Sequence, residues 1–146
     1  MGTYFDIEYA DTLVKSLFKT NSDERKLWDA LVDEDKQILI NEHSDIINNC
    51  MFIGYKVNIN SSLQFPRYIN CRVVECPEDI KKAIVSNALI KENRSSKQET
   101  KYQELNVEEM STEGSKIKFD LSKKSNMYIN GVDKEIYNKY LRKWCY

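Results

Sequence analysis

The sequence has a single histidine and only four glycines in 146 residues. Histidine carries most general acid–base chemistry and clustered glycine builds phosphate cradles, so the commonest enzyme classes are poorly supplied. Neither sign of charge is in excess, with 22 Lys and Arg against 23 Asp and Glu. Proteins that coat nucleic acid attract its phosphates with a surplus of cations, and this chain has none overall. Long apolar runs are missing too. Stretches such as Cys50-Met51-Phe52-Ile53 fall far short of the roughly 20 residues that a membrane-spanning helix needs. The opening Met1-Gly2-Thr3-Tyr4-Phe5-Asp6 lacks the basic and apolar regions of a secretory signal. Asp6 also stands where a myristoylation motif wants Ser or Thr. The four cysteines, Cys50, Cys71, Cys76 and Cys145, form no Cys-x-x-Cys, and no second pair or histidine completes a zinc site around Cys71 and Cys76. Free, reduced thiols are expected. The absences point to one globular domain with no catalytic set, no metal, no cofactor and no membrane association.

What is present is helical periodicity. Asp6 is placed to cap a helix bearing Ile7, Ala10, Leu13, Val14, Leu17 and Phe18, close to the 3.6-residue period. Asn21 and Ser22 open a short helix with Leu27, Trp28 and Leu31. Asp33, Glu34 and Asp35 suit the start of a longer one, whose stripe is Leu39, His43, Ile46, Ile47 and Cys50, with Gly54 as its stop. Tyr55 to Glu75 reads as an ordered loop with short extended pieces. Pro77 starts another helix, with Ile80, Ala83, Ile84, Asn87 and Ala88 on its buried face. Lys91 to Lys101 is almost wholly polar and reads as a connection. Leu105–Val107 and Lys116–Leu121, separated by Ser111-Thr112-Glu113-Gly114, read as a β-hairpin. After a polar joint at Lys123 to Asn126, Asp133 caps a last helix. The expected fold is mainly α: a small helical bundle with an inserted β-hairpin and a C-terminal amphipathic helix. Residues 1–121 form the helical domain, with the hairpin at about 104–121, and residues 122–146 form a docking tail.

Candidate catalytic groups are few. His43 sits within an apolar stripe and reads as a satisfied core histidine. Asp33, Glu34 and Asp35 read as an acidic first turn, and Glu8 and Asp11 as a solvated face. Two features are suited to binding. In the loop, Tyr55, Lys56, Phe65, Arg67, Tyr68 and Arg72 interleave rings with cations, as single-stranded nucleic acid sites do. The plainer alternative is that Phe65 plugs the core, Pro66 fixes the loop's exit and Arg67 pairs with a carboxylate. In the tail, Ile136, Tyr137, Tyr140, Leu141 and Trp144 share a face beside Arg142, the pattern of a helix that docks in a partner's groove. It could equally pack on its own domain. Charge is uneven as well: residues 1–73 carry 8 basic and 11 acidic side chains, and residues 74–146 carry 14 and 12.

Four ordered pieces carry a family resemblance. They are Thr3-Tyr4 before the Asp6-capped helix, Trp28 followed by the long helix, Leu63-Gln64-Phe65-Pro66-Arg67, and Pro77-Glu78-Asp79-Ile80-Lys81-Lys82-Ala83. Spanning about residues 3–90, they resemble the head–tail connector (adaptor, or head-completion) proteins of tailed bacteriophages, which overlap a DnaT-like family of single-stranded-DNA-binding proteins. The chain departs from the pattern at Cys76, usually apolar, and at Asn87, commonly charged, and the tail after Asn130 matches no part of it. The resemblance implies a structural virion protein of the neck, assembled in the host cytoplasm. Its subunits form a ring, typically of twelve, that joins the portal protein to a stopper or tail-completion protein and extends the channel for double-stranded DNA. The alternative implied is single-stranded DNA binding.

Overall fold

Asp6 and Ser22 act as the caps their positions suggest. The Asp6 carboxylate accepts the Tyr9 N–H at 2.8 Å and the Ser22 hydroxyl accepts the Arg25 N–H at 3.3 Å, each satisfying a donor that a helix start leaves over. They open α1 (Ile7–Leu17) and α2 (Asp23–Ala30). α3 (Asp33–Asn48) has no side-chain cap and begins instead on three acidic residues, favourable against the positive end of the helix dipole. α4 (Glu78–Ser95) follows Pro77, whose carbonyl accepts the N–H groups of Ile80 and Lys81. The chain, a computed structural model, is described at residues 3–95, 109–112, 115–118 and 128–146, and it is mainly α.

The core is built around α4. Ile80, Ala83, Ile84, Asn87 and Ala88 are buried as their spacing predicts, and Val85, Ser86 and Leu89 are buried too. A helix buried on most of its circumference needs neighbours on several sides. Here α1, α2, α3 and the C-terminal segment all pack against it. Trp28 from α2 closes one flank, its indole N–H donating to Asp11 at 2.7 Å. Asp11, expected on a solvated face, is thus a partner of Trp28 and also of Lys36, at 3.2 Å.

Small sheets supply the remainder. β1 (Tyr55–Lys56), β2 (Arg67–Ile69) and β3 (Arg72–Val74) form an antiparallel sheet in that order. Gly54 is not the stop of α3, which ends six residues earlier at Asn48. It lies at φ +74°, where a Cβ would stand 2.0 Å from the Tyr68 carbonyl oxygen, so the glycine permits close backbone approach beside the sheet. β4 (Glu109–Thr112) and β5 (Ser115–Lys118) pair antiparallel with Thr112 opposite Ser115. The expected strand at Leu105–Val107, the end of the second at 119–121, the polar joint and the boundary between residues 121 and 122 lie outside the described residues.

β6 (Tyr128–Ile129) and β7 (Val132–Asp133) form a third antiparallel pair. Asn130 and Gly131 between them lie at φ 52° and 82°, the left-handed geometry of a tight two-residue hairpin turn. Asp133 then caps α5 (Lys134–Ile136) by accepting the Glu135 N–H at 3.0 Å. The helix is shorter than its pattern suggests. It widens into a π-helical turn, Tyr137–Leu141, closed by the Arg142 N–H on the Tyr137 carbonyl at 2.7 Å. Val132, Ile136, Tyr140 and Leu141 belong to the same apolar cluster as α1 to α4, so residues 128–146 are integral to the helical core.

A buried polar chain fastens this segment to α3 and α4. The Asn87 carboxamide donates to the Gly131 carbonyl at 3.4 Å, accepts the Asp133 N–H at 2.9 Å and lies 3.2 Å from His43 Nδ1. The Asp133 carboxylate also pairs with Arg94. Because Asn87 presents its NH2 to Nδ1, His43 must accept there and is neutral. Burial, then the nearby Lys91, lowers its pKa to about 4. An unfolded histidine takes up a proton near pH 6.5, so His43 favours folding above that pH and loses this contribution as pH falls toward 4. Urea denaturation should show stability falling between pH 6.5 and 4, with His43 contributing of order 3 kcal/mol of the loss, and His43→Asn should flatten that part of the profile.

Candidate interaction surface

Arg67 organises the segment between α3 and α4. Its guanidinium donates to the carbonyls of Phe52 at 3.1 Å, Ile53 at 2.9 Å and Gly54 at 2.8 Å, and to the Gln64 side chain at 2.7 Å. Gln64 in turn donates to the Asn48 carbonyl at 2.7 Å, and its N–H donates to the Tyr4 hydroxyl at 2.8 Å. Tyr4 completes the circuit by donating to the Asn48 side chain. Burial pushes the Tyr4 phenol up to about 12, so it stays a neutral donor throughout the ordinary pH range.

Two of the expected nucleic-acid contacts are therefore structural. Arg67 is 5% exposed and Phe65 3%. Phe65 packs edge-on against Phe52 and Tyr4, with centroids 5.2 and 6.3 Å away. Neither can stack on a base or reach a phosphate from that position. Phe65 does plug the core, but Arg67 pairs with backbone carbonyls rather than a carboxylate. Lys56 is half-buried and donates to the Ser61 carbonyl at 2.6 Å. Tyr68 and Arg72 reach the surface.

The outer face of the sheet is apolar. Tyr55 stands opposite Tyr68, and Tyr68 opposite Val73, so the three form one row across the strands. They are 70%, 38% and 52% exposed. The rings of Tyr55 and Tyr68 are 5.7 Å apart. The chain's last residues run beside this sheet: the Ile53 N–H donates to the Trp144 carbonyl at 2.9 Å, and the Tyr146 N–H to the Met51 carbonyl at 3.0 Å. The Tyr146 hydroxyl also accepts the Gly54 N–H at 3.1 Å. Met51 and Tyr146 are themselves exposed.

The tail's apolar face is turned inward. Ile136, Tyr140 and Leu141 are buried, because they cover α4. Tyr137 and Trp144 are half-buried and Arg142 is exposed, so only these three of the expected docking set have surface to offer. Lys139 and Lys143 lie over the Tyr140 and Trp144 rings, each 5.0 Å from the centroid. His43 is a core residue, and Asp33, Glu34 and Asp35 are exposed. Among the described residues, no group of three or more His, Cys, Asp or Glu is arranged to hold a metal ion, and no helix is long and apolar enough to cross a membrane. No family model, curated protein or solved structure matches the chain.

Tyr55 belongs to the loop feature expected to bind, whereas Val73 and Tyr146 are surface residues that sequence reasoning misses. Strands of two or three residues are too short to display the alternation that marks a sheet face. The inner and outer positions of the β1–β3 sheet should respond differently to truncation. Arg67→Ala strands buried carbonyls and should cost about 3 kcal/mol or more. Tyr55→Ala should change stability by no more than about 0.5 kcal/mol, both read from urea midpoints.

Proposed function

We propose that this chain is a structural subunit of a bacteriophage neck, an adaptor that forms a ring between the portal and the stopper or tail and extends the DNA channel. The observation that carries the reading is the Tyr55–Tyr68–Val73 row, a cross-strand apolar surface beside the exposed Met51 and Tyr146. Water meets such a patch at a free-energy cost that a neighbouring protein surface removes. The ordered resemblance over residues 3–90 supports the same assignment. In this reading the architecture is a small helical bundle with a β-hairpin inserted at about 104–121. The docking part of the tail is Tyr137, Arg142 and Trp144, since Ile136, Tyr140 and Leu141 are committed to the core. The ring would be about twelvefold, as the resemblance implies. The work is mechanical rather than catalytic and uses no cofactor. A near-neutral subunit suits a channel through which double-stranded DNA slides, because dense basic contacts would hold the duplex.

A second reading, single-stranded DNA binding, is favoured by one detail: the exposed Tyr55 and Tyr68 rings lie 5.7 Å apart and Arg72 is exposed nearby in β3. Stacking rings and a flanking cation are what such sites use.

Mixing the purified chain with the portal of the phage that encodes it distinguishes the two readings. By electron microscopy the wild type should add a ring to the portal, and Tyr55→Glu with Val73→Glu should not. Failure of the wild type to associate would overturn the adaptor reading. Oligonucleotide quenching of aromatic fluorescence at low salt, lost in Tyr68→Ala, would establish the alternative instead.

A further inference from the structure

The two ends of the residue 50–145 span meet. Cys50 is buried beyond the end of α3, where its N–H donates to the Ile47 carbonyl at 3.0 Å. Cys145 is next to the last residue and lies opposite Phe52 in an isolated antiparallel bridge. The backbone bonds from Ile53 to Trp144 and from Tyr146 to Met51, at 2.9 and 3.0 Å, fix that register on both sides. Cys145 packs against the apolar cluster that contains Cys50, the Cys50 thiol donates to the Ile46 carbonyl at 3.8 Å, and each thiol is the principal influence on the ionisation of the other. Both are free.

We propose that Cys50 and Cys145 form an oxidation site, at which a hydroperoxide converts the thiol pair into a disulfide that fastens the last residues of the chain to the end of α3. The site is asymmetric. The neighbouring Cys145 and then burial raise the pKa of the Cys50 thiol, whereas Cys50 lowers that of Cys145 against the opposing effect of burial. Cys145 is also the half-exposed member of the pair. It is therefore the attacking group, since the thiolate is the nucleophile. Its sulfur attacks the terminal peroxide oxygen and breaks the O–O bond, leaving a sulfenic acid and releasing the other oxygen as water or an alcohol after protonation. Cys50 then gives up its proton and attacks the Cys145 sulfur, expelling the sulfenic oxygen as water. Two thiols lose two electrons, and the hydroperoxide gains them. The remaining cysteines lack this arrangement: Cys71 is exposed on the β2–β3 turn, and burial pushes the Cys76 thiol up to about 12.

The test uses the full chain, reduced, freed of reductant, and given about one equivalent of hydrogen peroxide before alkylation and digestion without reduction. The expected product is a peptide pair joining Cys50 to Cys145, lighter by two hydrogens. It should exceed any other pairing by about tenfold or more, because the two sulfurs are held together by the fold, and its yield should not depend on protein concentration. In Cys50→Ser, Cys145 should accumulate as a sulfenic acid captured by dimedone. In Cys145→Ser, Cys50 should remain a thiol. Linkage that appears only in denaturant, or oxidation of Cys71 in the wild type while Cys145 stays a free thiol, would overturn the proposal. The wild-type experiment decides the matter even if a variant fails to fold.

Discussion

A carboxamide in the middle of a helix core has to be satisfied, and the β6–β7 hairpin together with His43 satisfies Asn87. It is fully buried on α4, and an unpaired amide there would cost about 1–3 kcal/mol. Its partners come from the Asn130–Gly131 turn, the Asp133 backbone and His43. Two of these partners then have a second duty. Asp133 caps α5 and pairs with Arg94. Gly131 sits where a Cβ would come within 3.1 Å of an Ile46 methyl, so the turn is also seated on α3. One amide thus ties together three elements that are far apart in sequence.

Arg67 plays the corresponding part on the other side. The guanidinium takes up carbonyls that a loop of this shape would otherwise bury without partners. By holding residues 52–54 it fixes both edges of the exposed surface: β1 continues from Gly54, and the chain's last residues pair with 51–53. The surface proposed for assembly is therefore only as well positioned as an internal arginine that never reaches it. The buried polar groups provide precision, and the exposed apolar ones provide something to dock.

The helices were readable because their signals are local. Asp6, Ser22 and Pro77 stand at their starts, and the 3.6-residue stripes name Ala10, Leu13 and Val14 of α1 and five buried residues of α4, although Ile7, Leu17 and Phe18 are only half-buried and Val85, Ser86 and Leu89 are missed. The rest depends on distant partners. Arg67 looks like a surface cation until its carbonyls, 13 to 15 residues back, are brought to it. An amphipathic pattern such as Ile136, Tyr140 and Leu141 tells that a face will be covered but not by what, and here the cover is α4. The π-helical turn has no sequence signature beside it. Asn130-Gly131 between Ile129 and Val132 is different: it is a short-range hairpin signal that attention to the following helix passes over.

The ion pair between Arg94 and Asp133 joins the last turn of α4 to the start of α5. The end of the described stretch 3–95 is thus held against the last one, 128–146. Val132, the neighbour of Asp133, is fully buried in the same apolar cluster as Ile84 and Leu89 of α4, so the clasp sets a charged pair beside an apolar contact between the same two stretches. Losing the charge would therefore loosen the rim of that contact before its centre.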